Sequence, residues 1–254
     1  SKMKVFSKFN KIFLFIPYYI IHKNYFFGLF FKFFIKKFKY KDITVDLNVK
    51  GIQTSYYSSF LFKTYEYNDR ILIEKNIHSM NKCIVVGAGL GFIPILTYKK
   101  SKNKLLLFEI DKRISENLIA NLNQNNVEYE LFQKNLCIEG KTIEQSYFYD
   151  SKNFLSNSLY TNKGKKISFE NIYDDEINSF DDYNTFIVDA EGIEEYYIEN
   201  LHLLKNIKYL FFELHHNFFT DEKINNIFRL LNSNNFIQKD KCFNSYFFIK
   251  EDKK

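Results

Sequence analysis

Val85-Val86-Gly87-Ala88-Gly89-Leu90-Gly91-Phe92 decides the fold, because three of the chain's eight glycines fall within five residues of it. The apolar run before them, Cys83–Val86, reads as a buried strand, and residues 92–100 after them read as a helix. Glycine is needed where backbone takes a positive φ or approaches another group closely. A helix start adds free N–H groups and the positive end of its dipole, so the loop suits a carboxylate or a phosphate. Cofactor contacts are expected at Gly87, Ala88, Gly89 and Gly91.

The next strand, residues 105–110, runs into Phe108-Glu109-Ile110-Asp111. Glu109 follows Gly87 by 22 residues. An acid there, at the tip of the second strand, can accept hydrogen bonds from two ribose hydroxyls. Loop and acid together mark a site for a nucleoside-bearing cofactor, with Glu109 and Ile110 among its contacts. Dinucleotide sites favour G-x-G-x-x-G; here the spacing is G-x-G-x-G, and Phe92 holds the place of the last glycine. That favours S-adenosylmethionine, its amino-acid end along the loop. A glycine-rich turn with no ligand is the bland reading. Agreement of strand, loop, helix and distal acid argues against it.

Outward from this core, strand and helix patterns alternate: a helix at 115–122, a strand at 129–132, then strand, helix and strand at 186–188, 194–204 and 209–214. A helix at 221–231 and strands at 236–238 and 246–249 close the chain. Residues 137–172 break the rhythm and read as an insertion of short strands and loops. The pattern implies an α/β fold, doubly wound on a mainly parallel sheet, ending in an antiparallel hairpin at one edge. Before it lie a strand pair within 43–49 and a helix near 65–78. The division expected is an N-terminal extension with its lead-in helix over 1–80, then the cofactor domain over 81–254.

A second run, Phe186-Ile187-Val188-Asp189-Ala190-Glu191-Gly192-Ile193-Glu194, sharpens the reading. With the glycine loop it resembles the FkbM family of S-adenosylmethionine-dependent methyltransferases. Asp189, Glu191, Gly192 and Glu194 match that family's fourth-strand motif. Looser matches are Tyr65-Glu66, Asn135-Leu136 at the third-strand exit, Ser158-Leu159 in the insertion and Glu213-Leu214-His215. Val85 stands where the family usually has an acid, and Ile187 where it usually has a lysine. The resemblance runs from about residue 65 to 248. It implies a seven-stranded sheet with the last strand antiparallel, and methyl transfer to a hydroxyl of a sugar, glycan or secondary metabolite.

Ligands of an open α/β sheet sit beyond the carboxyl ends of its strands, where Glu109, Asp189, Glu191, Glu213, His215 and His216 all map. Methyl transfer requires an aligned acceptor oxygen and a group to take its proton. Asp189 is the candidate for orienting the acceptor or the cofactor's amino group. Glu191 and His215 or His216 are candidate bases; Asn135 joins the cofactor set; Glu66, Ser158, Glu213 and His216 are candidate acceptor contacts. Such side chains could also hold a divalent cation, which the sequence leaves open; no metal is adopted. Asp189 and Glu191 could instead cap the following helix. Glu194 and Glu195 read as a solvated helix face.

Composition narrows the partners. Residues 1–41 hold ten Lys and no acid, while the rest carries 26 basic against 30 acidic residues. A basic groove through the body, as nucleic-acid binding requires, is not indicated. Residues 12–21, interrupted by Pro17, are too short for a span of about 20 apolar residues. Three widely spaced cysteines, Cys83, Cys137 and Cys242, read as reduced thiols of a cytoplasmic protein. Residues 1–41, read as helical, are open to packing on the body, self-association or contact with the inner membrane surface, with packing favoured. The rivals to glycan O-methylation are a cofactor-binding module with a degenerate site, kept alive by Val85 and Ile187, a nucleic-acid methyltransferase and a nicotinamide oxidoreductase.

Overall fold

The computed structural model describes residues 24–49, 52–138, 146–149, 165–190, 193–215 and 219–252, with the backbone alone for 146–149 and 165–168. Helix α1 (Tyr25–Phe31) leads to β1 (Lys37–Tyr40) and β2 (Ile43–Asp46), then α2 (Tyr56–Leu61) and α3 (Tyr67–Asn76). Strand and helix next alternate as β3 (Cys83–Val86), α4 (Phe92–Ser101), β4 (Leu105–Phe108), α5 (Ser115–Gln124) and β5 (Tyr129–Phe132). The interruption holds β6 (Asn135–Cys137), β7 (Ser146–Tyr149), β8 (Lys165–Ser168) and β9 (Asn171–Tyr173). There β6 pairs parallel with β9, and β7 antiparallel with β8. The alternation resumes with β10 (Thr185–Val188), α6 (Glu194–Glu199), β11 (Tyr209–Glu213), α7 (Asp221–Ser233), β12 (Phe236–Cys242) and β13 (Ser245–Lys250).

Seven strands form one sheet in the order β12-β13-β11-β10-β3-β4-β5. The strands from β11 to β5 run parallel, and β13 lies antiparallel between β11 and β12. The expected mostly parallel sheet with a reversed last strand is therefore present. Its central strands, CIVV, LLLF and TFIV, are buried at every position, as strands covered on both faces must be. Alternate residues feed two cores. Val85, Leu107, Ile187, Phe211 and Phe247 face one, filled by α3, α4, α5 and the β1–β2 hairpin. Val86, Phe108, Val188, Phe212 and Phe248 face the other, filled by α6 and α7. Among the described residues no helix is long and apolar enough to cross a membrane.

The N-terminal region departs from its reading. Residues 37–40 are a strand rather than helix, because Phe38 is buried between exposed Lys37 and Lys39, a two-residue period. This strand, and not one within 43–49, is the partner of β2. Asn121 on α5 and Asn125, which caps its C-terminus, then seal the outer edge of β2. Asn121 Oδ1 accepts from Asp46 N at 2.7 Å, and Asn125 Nδ2 donates to Thr44 O at 2.7 Å. Spaced four apart, they share one helix face and supply the pairing a third strand would give. Helix α2 was not legible in the pattern, and the 194–204 helix ends at Glu199, followed by a 3₁₀ turn at Leu201–Leu203.

Candidate functional site

The exits of β3, β4, β10 and β11 share one edge of the sheet. At the β3 exit the chain turns through three glycines of positive φ, Gly87 (+85°), Gly89 (+54°) and Gly91 (+92°), before α4 begins. A Cβ on Gly87 would sit 1.8 Å from the carbonyl oxygen of Asp189, so this glycine lets two strand exits touch. At Gly89 the reason differs. No heavy atom lies within 4 Å of where its Cβ would be, so the loop turns bare backbone toward open space.

Glu109, one residue past β4, is 7% exposed. Its Oε2 accepts from Gly89 N and its Oε1 from Asp111 N, both at 2.8 Å. Burial pushes its carboxyl up to about 7, against the opposing pull of the Asp111 and Gly89 amides. A carboxylate has about four acceptor positions, so with the amides of Gly89, Asp111 and Ile110 on it capacity remains for a hydroxyl donor. Ile110 beside it is half-buried, and Asp111 is buried and paired with Arg113. Asn135 opens β6 and is 2% exposed; its amide nitrogen faces Cys137 Sγ and Asn171 Oδ1, both at 3.4 Å.

Across the Gly87–Asp189 contact lies a carboxylate cluster. Asp189, Glu213 and His215 present ligand atoms within 4.8 Å of one another, as do Glu66, Asp69, Asp189 and Glu213. Glu66 and Asp69 enter from the start of α3, with Glu66 itself in the left-handed region at φ 47°. Burial, then the charges of Glu213 and Glu66, push the Asp69 carboxyl well above the usual carboxylate range. Burial also holds the neighbouring Tyr65 hydroxyl well up, with Glu66 and Asp189 adding to the effect. Such crowding is relieved by shared protons, by a cation or by a cationic ligand. Arg70, next in sequence to Asp69, points away; its Nη1 donates to Lys63 O at 2.7 Å.

His215 joins this cluster to a buried acid. Its Nδ1 is 2.6 Å from Glu194 Oε1, while its Nε2 lies 3.9 Å from Asp189 Oδ1 and 3.8 Å from Glu213 Oε2. Glu194 is fully buried, which corrects its reading as part of a solvated face; Glu195 is half-buried and bonds Lys223. Asn244 donates to Glu213 Oε1 and accepts from Asn68, fixing the carboxylate at the β11 tip. Of the expected residues the structure thus gathers Asp189, Glu213, His215 and Glu66 on one side, and the glycine loop with Glu109 on the other. Glu191, His216 and Ser158 lie outside the described residues. Asp69, Glu194 and Asn244 were missed. Each is a polar residue whose burial depends on a distant part of the chain, so no local pattern marks it.

No family model and no curated protein matches the sequence, so the FkbM resemblance rests on the residues quoted above. Among solved structures the chain is similar to a methyltransferase from Pyrococcus furiosus, at 12% identity over 83% of this chain and 90% of that one, TM-score 0.45. It is similar to a precorrin-6y C5,15-methyltransferase from Geobacter metallireducens at 11% identity over 71% and 84%, TM-score 0.43. It is also similar to P. horikoshii TYW2 in complex with MeSAdo at 11% identity over 84% and 68%, TM-score 0.45. At these values the likeness bears on neither substrate nor mechanism.

Proposed function

We propose that the chain is an S-adenosylmethionine-dependent methyltransferase acting on a hydroxyl of a sugar, glycan or related small metabolite, and a member of the FkbM family. One observation carries the reading. The open side of Gly89 and the buried carboxylate it binds, Glu109, are joined through the Gly87–Asp189 backbone contact to a His215-containing carboxylate cluster. The residues present fit the cofactor: the bare loop admits its amino-acid end, and Glu109 keeps acceptor capacity for ribose hydroxyls. S-adenosylmethionine, when bound, supplies a methyl group on a cationic sulfur, and a cluster of carboxylates favours positive charge beside it.

The chain's own groups do the rest. Glu194 at Nδ1 sets the His215 tautomer that carries its proton there, which leaves Nε2 as the basic nitrogen on the side of Asp189 and Glu213. His215 thereby takes the acceptor hydroxyl's proton, while Asp189 and Glu213 orient the hydroxyl. Val85 and Ile187, which depart from the family pattern, are 1% and 3% exposed inside the sheet–helix core. They serve packing in the sheet–helix core.

Titration calorimetry with S-adenosylmethionine, with NADH as control, tests the cofactor; a methyl-release assay over a glycan panel tests the transfer. Binding that Glu109→Ala abolishes supports the reading. Binding of NADH instead, or of neither, overturns it. Tight cofactor binding without turnover on any acceptor favours the module.

A further inference from the structure

Helix α1 touches the body along one narrow line. Gly28 is its one buried residue, and a Cβ there would sit 1.9 Å from the Thr54 carbonyl oxygen. Asn24 caps the helix by accepting from Phe27 N at 3.1 Å, and its own N–H donates to Ser58 Oγ at 2.7 Å. Phe27 meets Phe62 edge-on, ring centroids 5.7 Å apart. These contacts fix the helix's rotation and turn its remaining apolar side chains outward. Phe26 is 82% exposed, Phe30 65%, Phe33 71% and Phe34 72%. Phe30 contacts both Phe31 and Phe34, so these three rings form one joined patch. Single exposed apolar residues need no explanation; a joined aromatic face marks an interaction site. Packing on the body, favoured by the sequence, holds for Gly28 and for Phe38, which enters the core, and leaves the aromatic side chains between them outward.

Charge selects the partner. Lys32, Lys36, Lys37 and Lys39 follow the helix closely in the chain and are exposed, and residues 24–41 contain no Asp or Glu. Two copies meeting symmetrically here would set lysines against lysines with no acid from this stretch to pair them. An anionic lipid surface meets both features. Rings enter the boundary between headgroups and acyl chains, and ammonium groups on flexible stems reach the lipid phosphates. We propose that α1 and the turn after it dock the protein on an anionic lipid surface, through Phe26, Phe30, Phe33 and Phe34 with the lysines that follow.

The chain has no Trp, so Phe30→Trp places a single reporter on this face. The full chain carrying it is mixed with phosphatidylcholine vesicles and with phosphatidylcholine–phosphatidylglycerol vesicles. The expected result is a blue shift of emission, and co-sedimentation, with the anionic vesicles alone. Replacing both Lys32 and Lys36 by Ala should weaken that binding roughly 25-fold, about five-fold per lysine. Absence of binding to anionic vesicles overturns the proposal. So does sedimentation with the reporter still in a water-like environment, which puts the contact elsewhere on the chain. Emission already blue before vesicles are added also overturns it, because residues 1–23 or a second copy would then cover the face.

Discussion

His215 Nδ1 and Glu194 Oε1 stand 2.6 Å apart, and the carboxylate is cut off from solvent on every side. The tautomer follows from this partner, since a carboxylate only accepts. Among the described residues Glu194 Oε2 finds no hydrogen-bond partner, so the acid is held in an environment that costs stability, as groups kept for function often are. His215→Ala should lower turnover by about 10² to 10⁴. Glu194→Gln keeps an acceptor for Nδ1 but loses the charge, and should lower turnover roughly 10- to 100-fold. Both should leave cofactor affinity in calorimetry unchanged. Turnover indifferent to both substitutions would remove His215 from the chemistry.

The glycine loop offers a paired test of fold against binding. Gly87→Ala drives a methyl group into the Asp189 carbonyl at a φ of +85°, and should cost about 3 kcal/mol or more in denaturant unfolding. Gly89→Ala meets no protein atom and should cost only about 1 kcal/mol for its left-handed backbone. Its methyl group would instead occupy the open space proposed for the cofactor. Cofactor affinity should therefore fall more than about tenfold, a loss beyond 1.4 kcal/mol. If Gly89→Ala binds like wild type, the cofactor does not lie along this loop.

Glu109 links folding, pH and binding. In the unfolded chain its carboxyl loses its proton near 4.5, and in the folded protein near 7. The folded state thus holds a proton that the unfolded state has released between those values. Stability from this group is full below the window and declines as pH rises through it, by a loss on the order of 3 kcal/mol. Glu109→Gln removes the titration, so its unfolding free energy relative to wild type should climb with pH across the same window. The ionised carboxylate is the better acceptor for ribose hydroxyls, so wild-type affinity for S-adenosylmethionine should increase with pH there. An affinity independent of pH would take Glu109 away from the ribose.

What could be read from the sequence was what depends on neighbours in the chain. Cys83–Val86, the glycines and the α4 run declare themselves because strand, turn and helix each impose a local rule. Glu109 was legible because the acid's distance from the loop is set by one helix and one strand. Glu194 was not, because a first-turn acid in α6 looks like any helix-dipole partner. Only the return of the chain at His215, by way of β11, buries it. Asp69 was hidden for the same reason, as an acid in the first turn of α3 whose company comes from β11 and β10. The β1 strand was masked by composition: a stretch dense in Lys and Phe shows its two-residue period only when Phe38 has a core to enter.

Glu66 carries the remaining prediction, because its backbone and its side chain pull in opposite directions. A non-glycine residue at φ 47° and ψ 37° costs about 1–2 kcal/mol, and glycine at that place costs little. The strain persists because this geometry sends the carboxylate into the group formed with Asp69, Asp189 and Glu213, where like charges add a further cost. Glu66→Gly removes both costs and should raise stability by about 1 kcal/mol, visible as a higher Tm. The same change removes a carboxylate from the proposed acceptor site and should lower turnover, so stability and activity should move in opposite directions. Glu66→Asp keeps the charge and the strain, and should leave Tm near wild type. A Glu66→Gly protein that is more stable and equally active would show that the left-handed turn serves the fold alone.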